Sequence, residues 1–381
     1  MSTTLPQTQT QLHSLVTPEG EPQLSLAEVA LDAPGPDQVV VRVEATPINP
    51  SDLGGLFAGA NPVAFESTGT PGHPSVKGQV PAAALPALRP RVGERLVVGN
   101  ESAGVVVAAG SSPEAQQLLG KTVALSGGEM YQQYRTIKAK ECLVLGDDAT
   151  PADGASSFVN PLTSQAMVEV MRAEGHKALI HTAAASNLGQ MLNRICIADG
   201  VDLVNVVRRP EQAALLREQG AKWVVDTSSA DFEAELLAAV TATGATIAFD
   251  AIGGGELASQ ILTAIERAAS AAATEYSRYG SSTHKQVYIY GGLDRSPTIL
   301  NRSYGMAWGV NGWLLTPFLQ RAGAETVNRL RARVAAELTT TFASNYTDVI
   351  TLAEMLDPAN IAAYSKFSTG RKFLVNPSLV R

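Results

Sequence analysis

The rhythm of hydrophobic and polar positions changes near residue 150. Before it, short apolar runs sit between turn signals. Val39-Val40-Val41-Arg42-Val43, Arg95 to Val98, Ala103 to Ala109 and Thr122 to Leu125 read as strands, with Pro18, Gly20, Pro22, Pro34, Gly35 and Pro36 as punctuation. This pattern predicts a β-rich first domain. Residues 1 to about 12 read as a loose polar tail. Six prolines fall between Ala58 and Gly93, and most of that stretch reads as one long loop.

After residue 150, Ala152 to Glu174 reads as helices, and strands then alternate with helices. The predicted strands are Ala178 to His181, Leu203 to Val207, Trp223 to Val225, Thr246 to Asp250 and Val287 to Tyr290. The helices between them are Leu188 to Ala198, Pro210 to Gln219, Phe232 to Thr243 and Glu256 to Ala272. Such alternation builds βαβ units on a parallel sheet, and right-handed crossovers make a doubly wound α/β topology the economical one. The polar stretch Thr274 to Lys285 reads as a surface insertion. A long amphipathic helix is expected from about Glu325 to Phe342, and a closing strand from Arg371 to Val375.

Composition narrows the classes. Of the 381 residues, 45% are hydrophobic and 17% charged, which fits a folded globular chain rather than a disordered one. The formal charge is −7 and no basic stripe is present, which argues against nucleic-acid binding. No uncharged apolar window reaches eighteen residues, so no membrane span is expected. The N-terminus, Met1 to Gln11, lacks the basic-then-apolar order of a secretory leader. Two cysteines, Cys142 and Cys196, read as free thiols in a reducing compartment, and the expected location is cytoplasmic.

The candidate chemistry starts where the strand ending at His181 runs into Thr182-Ala183-Ala184-Ala185-Ser186-Asn187-Leu188-Gly189. A dinucleotide fold needs small residues here, so that backbone can approach a pyrophosphate at a helix N-terminus. Ala184, Ser186 and Gly189 hold the places of G-x-G-x-x-G, and only the last glycine is kept. An ordinary tight turn would use the same residues. About twenty positions on, an acidic residue would bind the ribose of NAD. Arg208 and Arg209 stand there instead, and guanidinium forks match the 2′-phosphate of NADP.

Five stretches then read together: Pro47-Ile48-Asn49-Pro50-Ser51-Asp52-Leu53, Gly99-Asn100-Glu101-Ser102-Ala103-Gly104, Asn160-Pro161-Leu162-Thr163, Phe249-Asp250-Ala251-Ile252-Gly253-Gly254 and Tyr290-Gly291-Gly292. In this order they resemble the medium-chain dehydrogenase/reductase superfamily, in its zinc-independent quinone oxidoreductase and enoyl-thioester reductase branch. The resemblance covers about residues 39 to 375, apart from the insertions. It implies a GroES-like β-barrel catalytic domain into which a Rossmann domain is inserted. The boundaries it implies are 1–154 for the first part of the catalytic domain, 155–334 for the NADP-binding domain and 335–381 for the C-terminal return. It also implies a homodimer built through the Rossmann sheets.

The same resemblance implies roles for single residues. Asn49 and Thr163 would face the nicotinamide, Thr163 also capping its helix. Ala184, Ser186, Asn187, Leu188, Gly189, Arg208, Arg209, Gly253, Tyr290, Gly291, Gly292 and Lys372 would line the NADP(H) site. Asp52 and Glu101 would support the fold beneath the cleft. Zinc-dependent members carry Cys and His where this chain has Ser51 and Asn100, so no metal is expected. The implied activity is hydride transfer from NADPH to a quinone or related conjugated carbonyl. The alternatives are a 2-enoyl-thioester reductase or a nucleotide-binding member without activity. One departure bears on the former: the stretch Gly54 to Asn61 lacks the tyrosine that enoyl-thioester reductases of the mitochondrial type carry there.

Overall fold

The computed structural model describes residues 5–70, 72–366 and 371–379. Gly370, which precedes the Arg371-Lys372 pair of the predicted closing segment, lies outside them. The chain divides into two units, Met1–Val159 with Arg331–Arg381, and Asn160–Leu330.

The first unit holds two antiparallel-rich sheets. One follows the order Glu66–Ser67, Ser75–Lys77, Pro22–Ala30, Thr8–Val16, Arg95–Val97. The expected N-terminal tail is therefore a strand from Thr8 onward, paired along its whole length with Pro22–Ala30. Its polar composition hides a period of two, in which Leu12, Ser14 and Val16 are all fully buried. The expected long loop is likewise interrupted, because its two short strands extend this sheet.

The second sheet runs Leu143–Val144, Thr122–Ser126, Glu101–Ala109, Gln38–Pro47, Phe373–Val375, Asp348–Ile350. Phe373–Val375 lies antiparallel to Gln38–Pro47, so the C-terminus closes on the N-terminal unit. Between the strands sits an apolar core with Leu12, Leu24, Leu56 and Phe57 at its centre, where Phe57 packs edge-on to Phe65 at 4.9 Å.

The second unit is a six-stranded parallel sheet in the order Trp223–Asp226, Leu203–Val207, Leu179–His181, Ile247–Asp250, Lys285–Ile289, Trp308–Gly312. Counted along the chain this is 3-2-1-4-5-6, the Rossmann order. Leu203–Val207 is buried at every position, as expected for a parallel strand covered on both faces.

One strand is added to the expectation here, and one helix is corrected. The sixth strand, Trp-Gly-Val-Asn-Gly, has no apolar run and ends exposed at the sheet edge, so periodicity does not reveal it. The long helix spans Leu315–Ala336, breaks at Gly323 (φ 80°, ψ 163°), and stops six residues before Phe342. The insertion before the fifth strand is anchored from below. Lys285 is fully buried and pairs with Glu266 at 2.7 Å, and Ser281 donates both its N–H and its Oγ–H to the same carboxylate.

Candidate functional site

In a sheet of this order, ligands bind outside the carboxyl ends of the strands at the point where the winding reverses. That point lies between Leu179–His181 and Ile247–Asp250, which are paired in parallel. The first strand leads into a turn at Ala183, which takes a left-handed φ of 49°. Ser186 then caps the helix Asn187–Asp199, its Oγ accepting the Gly189 N–H at 3.1 Å. A Cβ on Gly189 would collide with the Ala184 carbonyl oxygen, so the one glycine kept from the fingerprint is the one that packs the helix start against the loop before it. Ala184 and Leu188 are buried, leaving only their backbone to meet a ligand.

Across the switch point, Asp250 is fully buried. Its Oδ1 accepts the Thr182 hydroxyl at 2.6 Å and the Ile252 N–H at 2.9 Å, and its Oδ2 accepts the Gly253 N–H at 3.0 Å. This network ties the first loop to the fourth. A Cβ on Gly291 would lie 2.6 Å from the Ala251 carbonyl oxygen, so the loop after the fifth strand can close on the loop after the fourth only with glycine there. Tyr290 bonds its hydroxyl to His181 Nε2 at 2.7 Å. Burial drives the His181 pKa down to about 3, so the imidazole stays neutral. His181 is a packed residue of the strand end, as its place in the sequence suggests.

Arg208 and Arg209 follow the second strand. Both are exposed, and among the described residues neither enters an ion pair. The Arg208 N–H is held by Gln212 Oε1 at 3.2 Å, and Arg209 is the N-terminal boundary of Pro210–Glu218. Beside the fifth and sixth strands lies an open cleft of about 670 Å³, lined by Glu174, Tyr288, Tyr290, Gly292, Trp313 and Arg321.

The first unit gathers a separate polar cluster. Asn49 is 1% exposed and donates Nδ2–H to Glu101 Oε1 at 2.8 Å. Its Oδ1 is buried and accepts no hydrogen bond from the described residues. Glu101 Oε2 accepts the Phe158 and Val159 amides at 2.8 and 2.9 Å. Burial raises the Glu101 pKa, against those amides, Lys372 and Asn49. Asp52 takes the Asn49 and Asn100 amides at 2.8 and 3.0 Å, and burial pushes it up to about 7. Ser51 and Asn100 are brought together, with Asn100 Nδ2 donating to Ser51 Oγ at 2.9 Å. Lys372 donates to Ser156 Oγ at 2.7 Å.

One residue role is corrected. Thr163 is the fifth residue of Val159–Ala173 and so is not its cap; the first amides at that helix start are held by the Glu101 carboxylate. Two groups escaped sequence reasoning altogether. Ser156 and Tyr346 carry no motif, and only the topology joins them to Lys372. The Thr182–Asp250 bond was visible only as two polar residues at the ends of apolar strands. Among the described residues no three His, Cys, Asp or Glu side chains gather as a metal site, and no helix is long and apolar enough to cross a membrane.

Comparison with known proteins gives this geometry relatives. Residues 187–277 match the family model of the zinc-binding dehydrogenases. A solved structure from Mesorhizobium loti, carrying the provisional name NADPH:quinone reductase, superposes with a TM-score of 0.70 at 27% identity, covering 98% of this chain and 100% of that one. A quinone oxidoreductase of Pseudomonas aeruginosa is 26% identical over 41% of this chain and 49% of its own length. The mitochondrial enoyl-[acyl-carrier-protein] reductase of Xenopus tropicalis is 29% identical over 54% of this chain and 53% of its own. The chain thus spans about half the length of the curated relatives it matches. With its Rossmann-ordered sheet and these neighbours, the chain belongs to the medium-chain dehydrogenase/reductase superfamily of oxidoreductases, in the zinc-independent branch of quinone oxidoreductases and enoyl reductases.

Proposed function

We propose that this protein is an NADPH-dependent reductase of quinones or related conjugated carbonyls that works without a metal, and that its first unit is the GroES-like catalytic domain of the family. The observation that carries this reading is the Ser51–Asn100 hydrogen bond. At the two positions where zinc-dependent members place Cys and His, two neutral side chains satisfy each other at 2.9 Å. Thiolate and imidazole are the donors zinc requires there, and a hydroxyl bonded to an amide is a poor substitute.

The chain fits the nucleotide. The Ser186-capped helix start and the packed Gly189 accept a pyrophosphate on backbone amides. Arg208 and Arg209 are two exposed guanidiniums with no carboxylate among the described residues to occupy them, and they suit a 2′-phosphate. The buried, unsatisfied Asn49 Oδ1 is an acceptor that a ligand N–H or O–H would satisfy. Asn49, Thr163, Gly253, Tyr290, Gly291, Gly292 and Lys372 complete the proposed site. When bound, the nucleotide supplies a hydride. The chain's part is to orient it, to exclude water and to stabilise the negative charge that the acceptor's carbonyl oxygen then carries.

The enoyl-thioester reading is favoured by the Xenopus match and disfavoured by the missing tyrosine between Gly54 and Asn61. Calorimetry with NADPH and NADH, on wild type and on Arg208→Ala/Arg209→Ala, is the test. NADPH should bind, and the double variant should lose about 10- to 100-fold in affinity for NADPH alone. An acceptor screen with naphthoquinone, cyclohexenone and crotonyl thioesters then separates the two substrate classes. Absence of binding by either nucleotide would end the reductase reading.

A further inference from the structure

Three polar side chains from distant segments meet in the unit Met1–Val159 with Arg331–Arg381. Ser156 Oγ accepts the Lys372 ammonium at 2.7 Å and the Tyr346 hydroxyl at 2.9 Å. Ser156 is 1% exposed. The ammonium also stands over the Tyr346 ring, 5.1 Å from its centroid. A hydroxyl that accepts two bonds keeps one hydrogen of its own to give, so Ser156 can pass a proton as well as hold two donors in place. The groups that act on this trio are Glu101 and Asp52 on Lys372, and Glu101 and Asp153 on Tyr346. The nearby Arg371 is engaged by Asp348 at 3.0 Å. Glu101 in turn holds Asn49, the residue proposed to face the nucleotide.

We propose that Lys372, positioned by Ser156 and Tyr346, is the proton source that completes the reduction. This rests on the reductase reading above. Hydride transfer from the reduced nicotinamide forms one new bond to hydrogen on the acceptor, oxidises the nicotinamide by two electrons and leaves the acceptor an anion. One N–H bond of the Lys372 ammonium then breaks, its proton neutralises that anion, and the resulting amine takes a proton back from solvent. Burial draws the Lys372 pKa down to about 8, against the upward pull of Glu101 and Asp52, so the ammonium gives up a proton more readily than an ordinary lysine. Burial moves the Tyr346 phenol the other way, which leaves it to orient rather than to ionise. The arrangement supplies a donor where the chain lacks the tyrosine of its enoyl-thioester relatives.

Two measurements on the full chain test this. In the first, the lysine side chains are isotope-labelled and Lys372 is titrated by NMR without nucleotide, with Lys372→Arg as assignment control. It should titrate near 8 and move in both Ser156→Ala and Tyr346→Phe; titration at the ordinary value of about 10.4 overturns the proposal. In the second, kcat is followed against pH with NADPH and cyclohexenone. Wild type should lose kcat above about pH 8. Lys372→Arg keeps the charge but cannot give the proton; it should lose about 100-fold in kcat and show no such limb. Ser156→Ala should lower kcat and shift the limb while the KM for NADPH stays within about twofold. A limb that persists in Lys372→Arg while turnover is normal overturns the proton source alone. No turnover by wild type with any acceptor overturns the reductase reading, and this proposal with it.

Discussion

Two buried carboxylates, one in each unit, are held in opposite ways. Asp52 takes the backbone amides of Asn49 and Asn100 and a side-chain bond from Tyr131, yet burial pushes it up to about 7 with Glu101 adding to the push. Burial alone would also raise Glu266, but hydrogen bonds from Lys285, Ser281 and Ser270 outweigh it and hold it down at about 2. The second arrangement is a staple: it neutralises its own charge and pins an insertion to the sheet. The first has no ion pair of its own among the described residues, although Lys372 is near enough to feel its charge. A cluster that costs stability where a staple would stabilise is the kind of site that function selects and folding does not.

The contrast predicts opposite pH behaviour. Asp52 binds its proton more tightly folded than unfolded. Its contribution is therefore complete below the unfolded value of 3.8 and is lost as pH rises through about 7, on the order of 4 kcal/mol in all. Glu266 is depressed, so its contribution is present above 4.5 and is lost only as pH falls through about 2. Hydrogen exchange resolved by unit should show the Asn49 and Asn100 amides better protected at pH 5.5 than at pH 8.5, while amides around Lys285 show no such slope from Glu266. Asp52→Asn should flatten the first slope. A slope that survives the substitution would refute this account of the cluster.

The next largest effect tests whether Glu101 is the frame of that cluster. Glu101→Ala leaves the Phe158 and Val159 amides and the Asn49 amide without their acceptor. At about 1 kcal/mol or more for each abandoned buried donor, urea denaturation should show a loss of about 3 kcal/mol. A loss under about 1 kcal/mol would mean that water or a shifted chain satisfies all three.

Gly189→Ala strikes the other unit at its backbone. The new methyl meets the Ala184 carbonyl, which belongs to a loop tied on both sides and cannot retreat. The cost should be about 2 kcal/mol, with NADPH binding weakened in parallel. If stability falls and NADPH affinity does not, the loop is only a turn.

These two regions also differ in how far the sequence discloses them. In the Asn160–Leu330 unit the proposed nucleotide surface is backbone, and backbone geometry follows from local spacing: a strand, small residues, a helix, then an acidic or basic residue on the next strand. Ala184, Ser186 and Gly189 could be placed from that alone, and so could Arg208. What spacing missed there, the edge strand Trp308–Gly312 and the break at Gly323, lacks the apolar period that packing on two faces imposes. In the other unit the proposed chemistry lies in side chains at 49, 101, 156, 346 and 372, which no local pattern relates. Asn49 and Glu101 were reached through a family resemblance. Ser156 and Tyr346 became visible only when Phe373–Val375 was seen to pair with Gln38–Pro47 and carry Lys372 into the unit. The Thr8–Val16 strand was missed for a plainer reason, since its buried face sets the polar Ser14 between Leu12 and Val16.

The smallest effect bears on the proposed phosphate loop, where two of the three fingerprint places hold residues other than glycine. Ala183, just before the first of those places, sits at φ 49°, a conformation that costs an L-residue about 1 kcal/mol over glycine. Ala183→Gly removes that strain, but it also gives the unfolded chain more freedom, which returns part of the gain. The net stabilisation should be about 0.5 kcal/mol, read as a small rise in urea midpoint at unchanged m-value. The sharper readout is affinity. If the alanines serve to stiffen the turn around the pyrophosphate, Ala183→Gly should weaken NADPH about two- to threefold while stabilising the fold, because a looser loop must be ordered on binding. If affinity rises with stability, the strain at Ala183 opposes binding, and the substituted fingerprint is a tolerated loss rather than a rigid version of the same device.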